Sequence, residues 1–332
     1  MKSTFAVAVA LCVGSSLPAL GQGQGAAAEA PLTETVAPAI PGVVAAGTKV
    51  QIIRRGFQGT EGPIAGPDGS LLFTETVANR ITKIDKDNNI TTFLENTNGS
   101  NGLAFDTKGR LITVQTVPGS TKIGVVYPKG SEATLADNFE GKPFGRPNDL
   151  VVDKKGGVYF SEPGAAVVPG APPPATPPLP PTVYYVPAGG KATKVADGFR
   201  PNGIQLSLDE KVLYVNNTAG EYLLAFDIQP DGSLTNRRDF VKYEGVKPNA
   251  QGVIASGADG LAVDSQGRVY IAVPAGIQVV SPKGMTLGTI PLPGPPQNLA
   301  FAGPDKKTLY IVGRGNAYKI QMEAQGFMGR AK

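Results

Sequence analysis

The chain has 332 residues, with 31 Lys and Arg against 27 Asp and Glu, 43 Gly, 30 Pro, one Cys and no His. A net charge of +4, with the basic residues scattered singly or in pairs, makes no basic patch and excludes nucleic acid as the expected partner. The absence of histidine excludes a Ser-His-Asp triad, a histidine-rich zinc site and a histidine general base.

In chain order, Met1 to about Gly21 has the pattern of a secretory signal peptide. Lys2 supplies the positive end, Phe5 to Val13 the apolar core, and Ala19-Leu-Gly21 a small-x-small cleavage site. The apolar run is about half of what a membrane-spanning helix needs, so export to the periplasm or medium is expected, without a membrane anchor. Cys12 lies inside this peptide, which leaves a mature chain with no disulfide, thiolate nucleophile or sulfur ligand and a net charge of +3 (30 basic minus 27 acidic). Residues 22–46, rich in Gly, Ala and Pro, read as a flexible leader.

From residue 47 to about 325 the chain shows no sustained 3.6-residue apolar period, but short β-rich runs bounded by turn residues. A turn followed by a strand recurs six times, about 40 to 55 residues apart. The copies are Pro67-Asp-Gly69 before Leu71–Phe73, Asp106–Gly109 before Leu111–Val114, and Asp153–Gly156 before Val158–Phe160. Ser207–Asp209 before Val212–Val215, Asp264–Gly267 before Val269–Val273, and Pro304-Asp305 before Leu309–Val312 complete the set. Further strand pairs follow, such as Arg80–Asp85 with Ile90–Phe93. Four short strands per copy, six times, predict an all-β, six-bladed β-propeller, with a metal site at the mouth of its central channel. Val50–Ile53 is expected to complete the sixth blade and remove an open edge, leaving 326–332 as a tail.

Counting back five positions from the residue opening each turn, or its equivalent, gives Glu61, Asn101, Asn148, Asn202, Asp259 and Asn298. All carry a carbonyl or carboxylate oxygen, and six blades would set them around one axis. Asn-Gly and Asp-Gly are also ordinary turn dipeptides, so Asn101, Asn202 and Asp259 could be turn residues only. Glutamate is not a turn residue, and Glu61 in the same register argues for inward oxygen donors. Two carboxylates with several amide oxygens suit a hard cation such as calcium. A hydrolase without histidine would need a metal and carboxylates to polarise a carbonyl and activate water.

These stretches carry a resemblance. Glu61-Gly-Pro63, Asn101-Gly-Leu-Ala-Phe-Asp106, Arg146-Pro-Asn-Asp-Leu-Val-Val-Asp153, Pro201-Asn-Gly203 and Asp259-Gly-Leu-Ala-Val-Asp264 resemble the family of gluconolactonases, senescence marker protein (regucalcin) and luciferin-regenerating enzyme, in that family's order. The resemblance implies a six-bladed propeller with one divalent cation, usually calcium, with zinc, magnesium or manganese left open. It implies Glu61, Asn202 and Asp259 as direct ligands, and Asn148 as a further ligand or a contact to water or substrate. Arg146 stands where family lactonases hold substrate oxygens, and Asp259 where a base or nucleophile is found. The chain departs from the family pattern at Val114-Gln-Thr-Val117, and at Glu75, Glu162 and Asn217 after second strands. It also carries an insert, 163–181, with nine prolines in nineteen residues, on the ring's face of the propeller. The expected protein is an exported, monomeric, metal-dependent lactone or ester hydrolase with Asp259, Arg146 and Asn148 as catalytic residues. The alternatives are a non-catalytic ligand-binding propeller with a structural calcium ion, and a synthase-like propeller enzyme.

Overall fold

Second strands of the blades, such as Leu71–Glu75, Val158–Glu162 and Val269–Val273, are buried along their whole length, which explains their continuous rather than alternating apolar pattern. The outer strands, such as Thr193–Asp197, are largely exposed and correspondingly polar. The structure, a computed structural model, describes residues 32–164 and 179–332. The expected signal peptide and cleavage site, the expected leader up to residue 31 and the centre of the proline-rich insert lie outside the described residues.

Among the described residues there is no helix, and the strands form six antiparallel blades. Blade 1 comprises Thr60–Ala65, Leu71–Glu75, Arg80–Ile84 and Ile90–Glu95. Blade 2 comprises Ser100–Phe105, Leu111–Gln115, Lys122–Tyr127 and Ala133–Ala136. Blade 3 comprises Leu150–Val152, Val158–Glu162, Thr182–Val186 and Thr193–Asp197. Blade 4 comprises Pro201–Leu206, Val212–Asn217, Tyr222–Ile228 and Leu234–Lys242. Blade 5 comprises Leu261–Val263, Val269–Val273, Gly276–Val280 and Thr286–Ile290. Blade 6 takes Asn298–Ala302, Thr308–Gly313 and Asn316–Gln321 from late in the chain and Lys49–Arg55 from early in it, pairing Gln51 with Lys319 and Ile52 with Tyr318. The expected closing strand is thus in place, and longer than Val50–Ile53.

The turns between first and second strands form as their aspartates predict. Asp106, Asp153 and Asp264 each accept from two backbone N–H groups, two and four residues on, at 2.8–3.0 Å. Apolar side chains of adjacent blades interlock. Leu71, Phe73 and Ile84 of blade 1 pack with Tyr310 and Val312 of blade 6, and Tyr159 and Val183 of blade 3 with Leu213 and Phe226 of blade 4. Each such large side chain contributes about 1.5–3 kcal/mol by leaving water.

Two segments differ from the sequence-based expectation. Residues 33–46, read as flexible leader, belong to the same compact unit as the propeller. Thr35–Val36 adds a fifth strand to blade 6, and Ile40, Val43 and Val44 are buried. Their apolar side chains find a surface because Gly288 has no Cβ where Ile40 lies, and Val43 O accepts from Glu323 N and Ala324 N. The second is the tail, Gln325–Lys332, which crosses the channel mouth at the turn end. Phe327 N donates to Val263 O of blade 5, Ala331 O accepts from Ala65 N of blade 1, and Arg330 donates to Gln205 Oε1, Leu206 O and Ser207 O of blade 4.

Candidate functional site

The six ring residues sit where the first strand of each blade starts, at the mouth opposite the tail. In blades 1, 2 and 4 the first and second strands slip by one residue immediately after the ring residue, between Glu61 and Ile64, Ser100 and Leu103, and Pro201 and Ile204. A bulge of this kind re-aims a side chain, here those of Glu61, Asn101 and Asn202. In blades 3 and 5 the ring residue precedes the strand, and Asn148 and Asp259 are held by their backbone N–H groups on Ser161 O (2.8 Å) and Ala272 O (3.1 Å).

The turn interpretation of Asn-Gly and Asp-Gly does not hold here. Gly102, Gly203 and Gly260 do not adopt positive φ, as a tight hairpin turn would require. Their glycine identity comes from close approach. A Cβ on Gly203 would strike Asp259 O, and one on Gly260 would strike the Asn298 side chain. The same glycines donate across the blade boundary, Gly102 N to Asn148 O (3.0 Å), Gly203 N to Asp259 O (3.0 Å) and Gly260 N to Gln297 O (2.7 Å). The innermost strands are laced to one another at ring level, and this sets the spacing of the oxygens.

Four of those oxygens, Oδ1 of Asn101, Asn148, Asn202 and Asp259, are buried and accept no hydrogen bond. A buried acceptor without a partner costs about 1–3 kcal/mol, and four at one mouth make it the candidate site. Asn298 belongs to the ring but is spent on support. Its Oδ1 accepts from Leu299 N (2.9 Å), and its Nδ2 donates to Glu61 Oε2 (3.2 Å). Glu61 Oε1 accepts from Gln297 Nε2 at 3.2 Å. Burial, then the nearby Asp149 charge, push the Glu61 carboxyl up to about 7. Burial, then Glu61 and Asp149, push Asp259 well above the ordinary carboxylate range, against the opposing charges of Arg314 and Lys332.

No metal centre is evident. Among the described residues no group of three or more His, Cys, Asp or Glu side chains is placed to hold an ion. The donor set of Glu61, Asn148, Asn202 and Asp259 instead mixes two carboxylates with amide oxygens. Its orphaned oxygens, and two buried carboxylates with raised pKa values, fit a hard divalent cation, which takes oxygen ligands and offsets their charge.

Arg146 is exposed at the same mouth, on the loop before blade 3. Glu162, fully buried, holds that loop by accepting from Gly145 N (3.1 Å) and Arg146 N (2.9 Å), and also accepts from Gly164 N (3.2 Å) just after its own strand. Burial lifts Glu162 to about 7. The same span of 17 residues recurs in Gln58–Glu75, Asn98–Gln115 and Arg200–Asn217, where the residue ending the second strand accepts from the loop before the first. The departures noted at Glu75, Glu162 and Asn217 are therefore loop supports.

Sequence reading missed four residues at the site, Asp149, Lys332, Gln297 and Arg314. Asp149, beside Asn148, is 1% exposed and ion-paired to Lys332 Nζ at 2.6 Å, beneath the ring. Gln297 links Glu61 to the blade 6 loop, accepting from Arg314 N at 2.7 Å. Arg314 places its charge on Asp259 from that loop. Asp149 lies inside a quoted motif, but no local pattern marks the other three.

A family model described as the SMP-30/Gluconolactonase/LRE-like region matches residues 59–314. A gluconolactonase of Zymomonas mobilis is 28% identical over 308 residues, covering 87% of this chain and 85% of its own. The solved structure of a gluconolactonase from Xanthomonas campestris superposes with a TM-score of 0.73 at 27% identity, over 87% of this chain and 94% of that one. A calcium-binding regucalcin from Agrobacterium tumefaciens superposes with a TM-score of 0.66 at 18% identity, over 84% and 96%, a likeness of fold.

Proposed function

This chain belongs to the SMP-30/Gluconolactonase/LRE-like family, and we propose that it is an exported, monomeric, divalent-cation-dependent hydrolase of lactones or related esters. The observation that carries the reading is the set of buried, partnerless oxygens of Asn148, Asn202 and Asp259 beside the raised carboxyl of Glu61. The gluconolactonase relatives support the reaction class.

Glu61, Asn148, Asn202 and Asp259 would hold the cation, calcium first. When bound it would act as a Lewis acid toward the substrate carbonyl. The protein's own groups do the rest. Arg146 donates to substrate oxygens, and Asn148 fixes the carbonyl's direction. Asp259 has one oxygen, Oδ1, closed off from solvent for the cation; its Oδ2 takes the proton of the attacking water. Water oxygen bonds to the carbonyl carbon, the ring C–O bond breaks, and the departing oxygen takes a proton, giving a hydroxycarboxylate. Glu162 keeps Arg146 and Asn148 in reach by pinning their loop. Such positioning is worth large factors in rate.

Export rests on Lys2, the apolar run Phe5–Val13 and Ala19-Leu-Gly21. Among the described residues no helix is long and apolar enough to cross a membrane. Calcium titration by calorimetry, together with lactone ring opening followed with and without a chelator, tests the main reading. Calcium-dependent turnover is expected; a protein that neither binds calcium nor opens any lactone overturns it.

A further inference from the structure

Between the second and third strands of blade 6 the chain turns through Gly313-Arg314-Gly315. Arg314 has φ of 50°, in the left-handed region, where a side chain is disfavoured and Asn or Gly is the usual choice. A two-residue hairpin turn requires that conformation at both central positions, and Gly315 shares it at 79°, so arginine stands here against the backbone's preference. The turn is tied down on several sides. Arg314 N donates to Gln297 Oε1 (2.7 Å), Gly315 N to Thr60 Oγ1 (3.2 Å), Phe57 N to Gly315 O (3.1 Å), and Asn316 Nδ2 to Gly313 O (3.2 Å). Gln297 in turn donates to Glu61 Oε1, so the turn and the ring are one unit.

The Arg314 backbone is thus fixed while its side chain is exposed at the mouth. The ion pairs of the described residues use other arginines, and its charge is felt by Asp259. Arg146 stands on blade 3, and in a ring of six, blades 3 and 6 face each other. Two guanidinium groups therefore flank the site from opposite sides. One suffices to orient a neutral lactone's oxygens. A second, held on a strained turn, fits an anionic group at the far end of the substrate, because guanidinium matches carboxylate in a two-point hydrogen bond.

We propose that Arg314 is a specificity residue for lactones carrying a free carboxylate, the ring carbonyl being held on the Arg146 side and the second carboxylate on the Arg314 side. This deepens, and rests on, the lactone hydrolysis proposed above. The test compares two lactones of the same ring size that differ at one carbon, gluconolactone with a hydroxymethyl end and glucarolactone with a carboxylate. The full chain with calcium is expected to favour glucarolactone by about tenfold in kcat/KM. Arg314→Met should remove that preference, bringing the kcat/KM ratio of the two substrates to within about twofold of one; the charge it also takes from beside Asp259 acts on both substrates alike and leaves the ratio untouched. Arg314→Gly should do the same with a Tm at or above wild type, because glycine relieves the left-handed backbone, which separates loss of the guanidinium from loss of folding. An unchanged preference in both variants, or an equal fall on both substrates, overturns the assignment. If wild type opens neither lactone, the lactonase reading fails. Calorimetric binding of glucarate against gluconate then decides the clamp: tighter glucarate binding that Arg314→Met abolishes supports it, and equal binding overturns it.

Discussion

Glu61→Gln separates the electrostatics of the ring from its packing. Glu61 is 7% exposed, and its carboxyl stands at about 7 rather than 4.5, first through burial and then through Asp149. That displacement corresponds to about 3 kcal/mol of cost for ionising Glu61 in the folded, cation-free protein. The folded pKa is the raised one, so the stabilising share of the protonated carboxyl is complete below about 4.5 and is lost as pH rises through about 7. Glutamine never ionises. It does turn an NH2 group toward Gln297 Nε2 or Asn298 Nδ2, both donors to Glu61 at 3.2 Å, at a cost of about 1 kcal/mol. In chelator at pH 8.5 the variant should be more stable than wild type by about 2 kcal/mol, and at pH 3.5 less stable by about 1 kcal/mol. With calcium in excess the order at pH 8.5 should reverse, because an ion bound only by the folded state stabilises it and the variant has lost a charged ligand. Urea denaturation at both pH values, with chelator and with calcium, measures all four differences. A variant that is equally destabilised at both pH values and indifferent to calcium would refute the account of Glu61 as a cation-facing carboxylate.

The remaining predictions concern the ring's supports. Asp259→Asn should weaken calcium binding by about tenfold or more in a calorimetric titration, since ligand charge tunes affinity; the non-turn conformation of Gly260 predicts that the change is not neutral. Lys332→Met leaves Asp149 charged and unpaired in a buried place and should cost about 3 kcal/mol in urea denaturation, with Asp149→Asn added to it recovering most of the loss. Glu162→Ala frees the loop carrying Arg146 and Asn148 and should lower kcat/KM for a lactone about tenfold, with a smaller loss of calcium affinity than Asp259→Asn causes, since Asn148 keeps its charge-neutral amide and its backbone hold on Ser161 O.

The blade count and the ring were legible because they follow from short-range regularities. A turn aspartate that binds its own backbone marks the end of a first strand, and the strand's length carries the count back to the mouth, from Asp106 to Asn101 and from Asp264 to Asp259. What Asn-Gly means at that mouth was not legible. The dipeptide is the same in a hairpin turn and beside a neighbouring blade's carbonyl, and only the contact of Gly203 with Asp259 O distinguishes them. Asn298 has the ring's chemistry and register yet spends both amide atoms on neighbours. Lys332 and Arg314 lie far in sequence from the carboxylates they influence, on segments without periodicity. Ile40, Val43 and Val44 were hidden among Gly, Ala and Pro because three scattered apolar residues have no period until blades 5 and 6 offer a surface.

The segment Gln325–Lys332 has a consequence for traffic. It is bonded to blades 5, 1 and 4 and carries Lys332 to Asp149 beneath the ring, so the turn end is closed and the channel is a blind well and not a tunnel. On the proposed hydrolysis, whatever enters past Arg146 and Arg314 would have to leave past them. A ring-opened product would carry one more carboxylate than its lactone and depart through a doorway lined by the groups that drew the lactone in. Product and substrate would then compete for the same threshold, and accumulating hydroxycarboxylate is expected to slow its own formation.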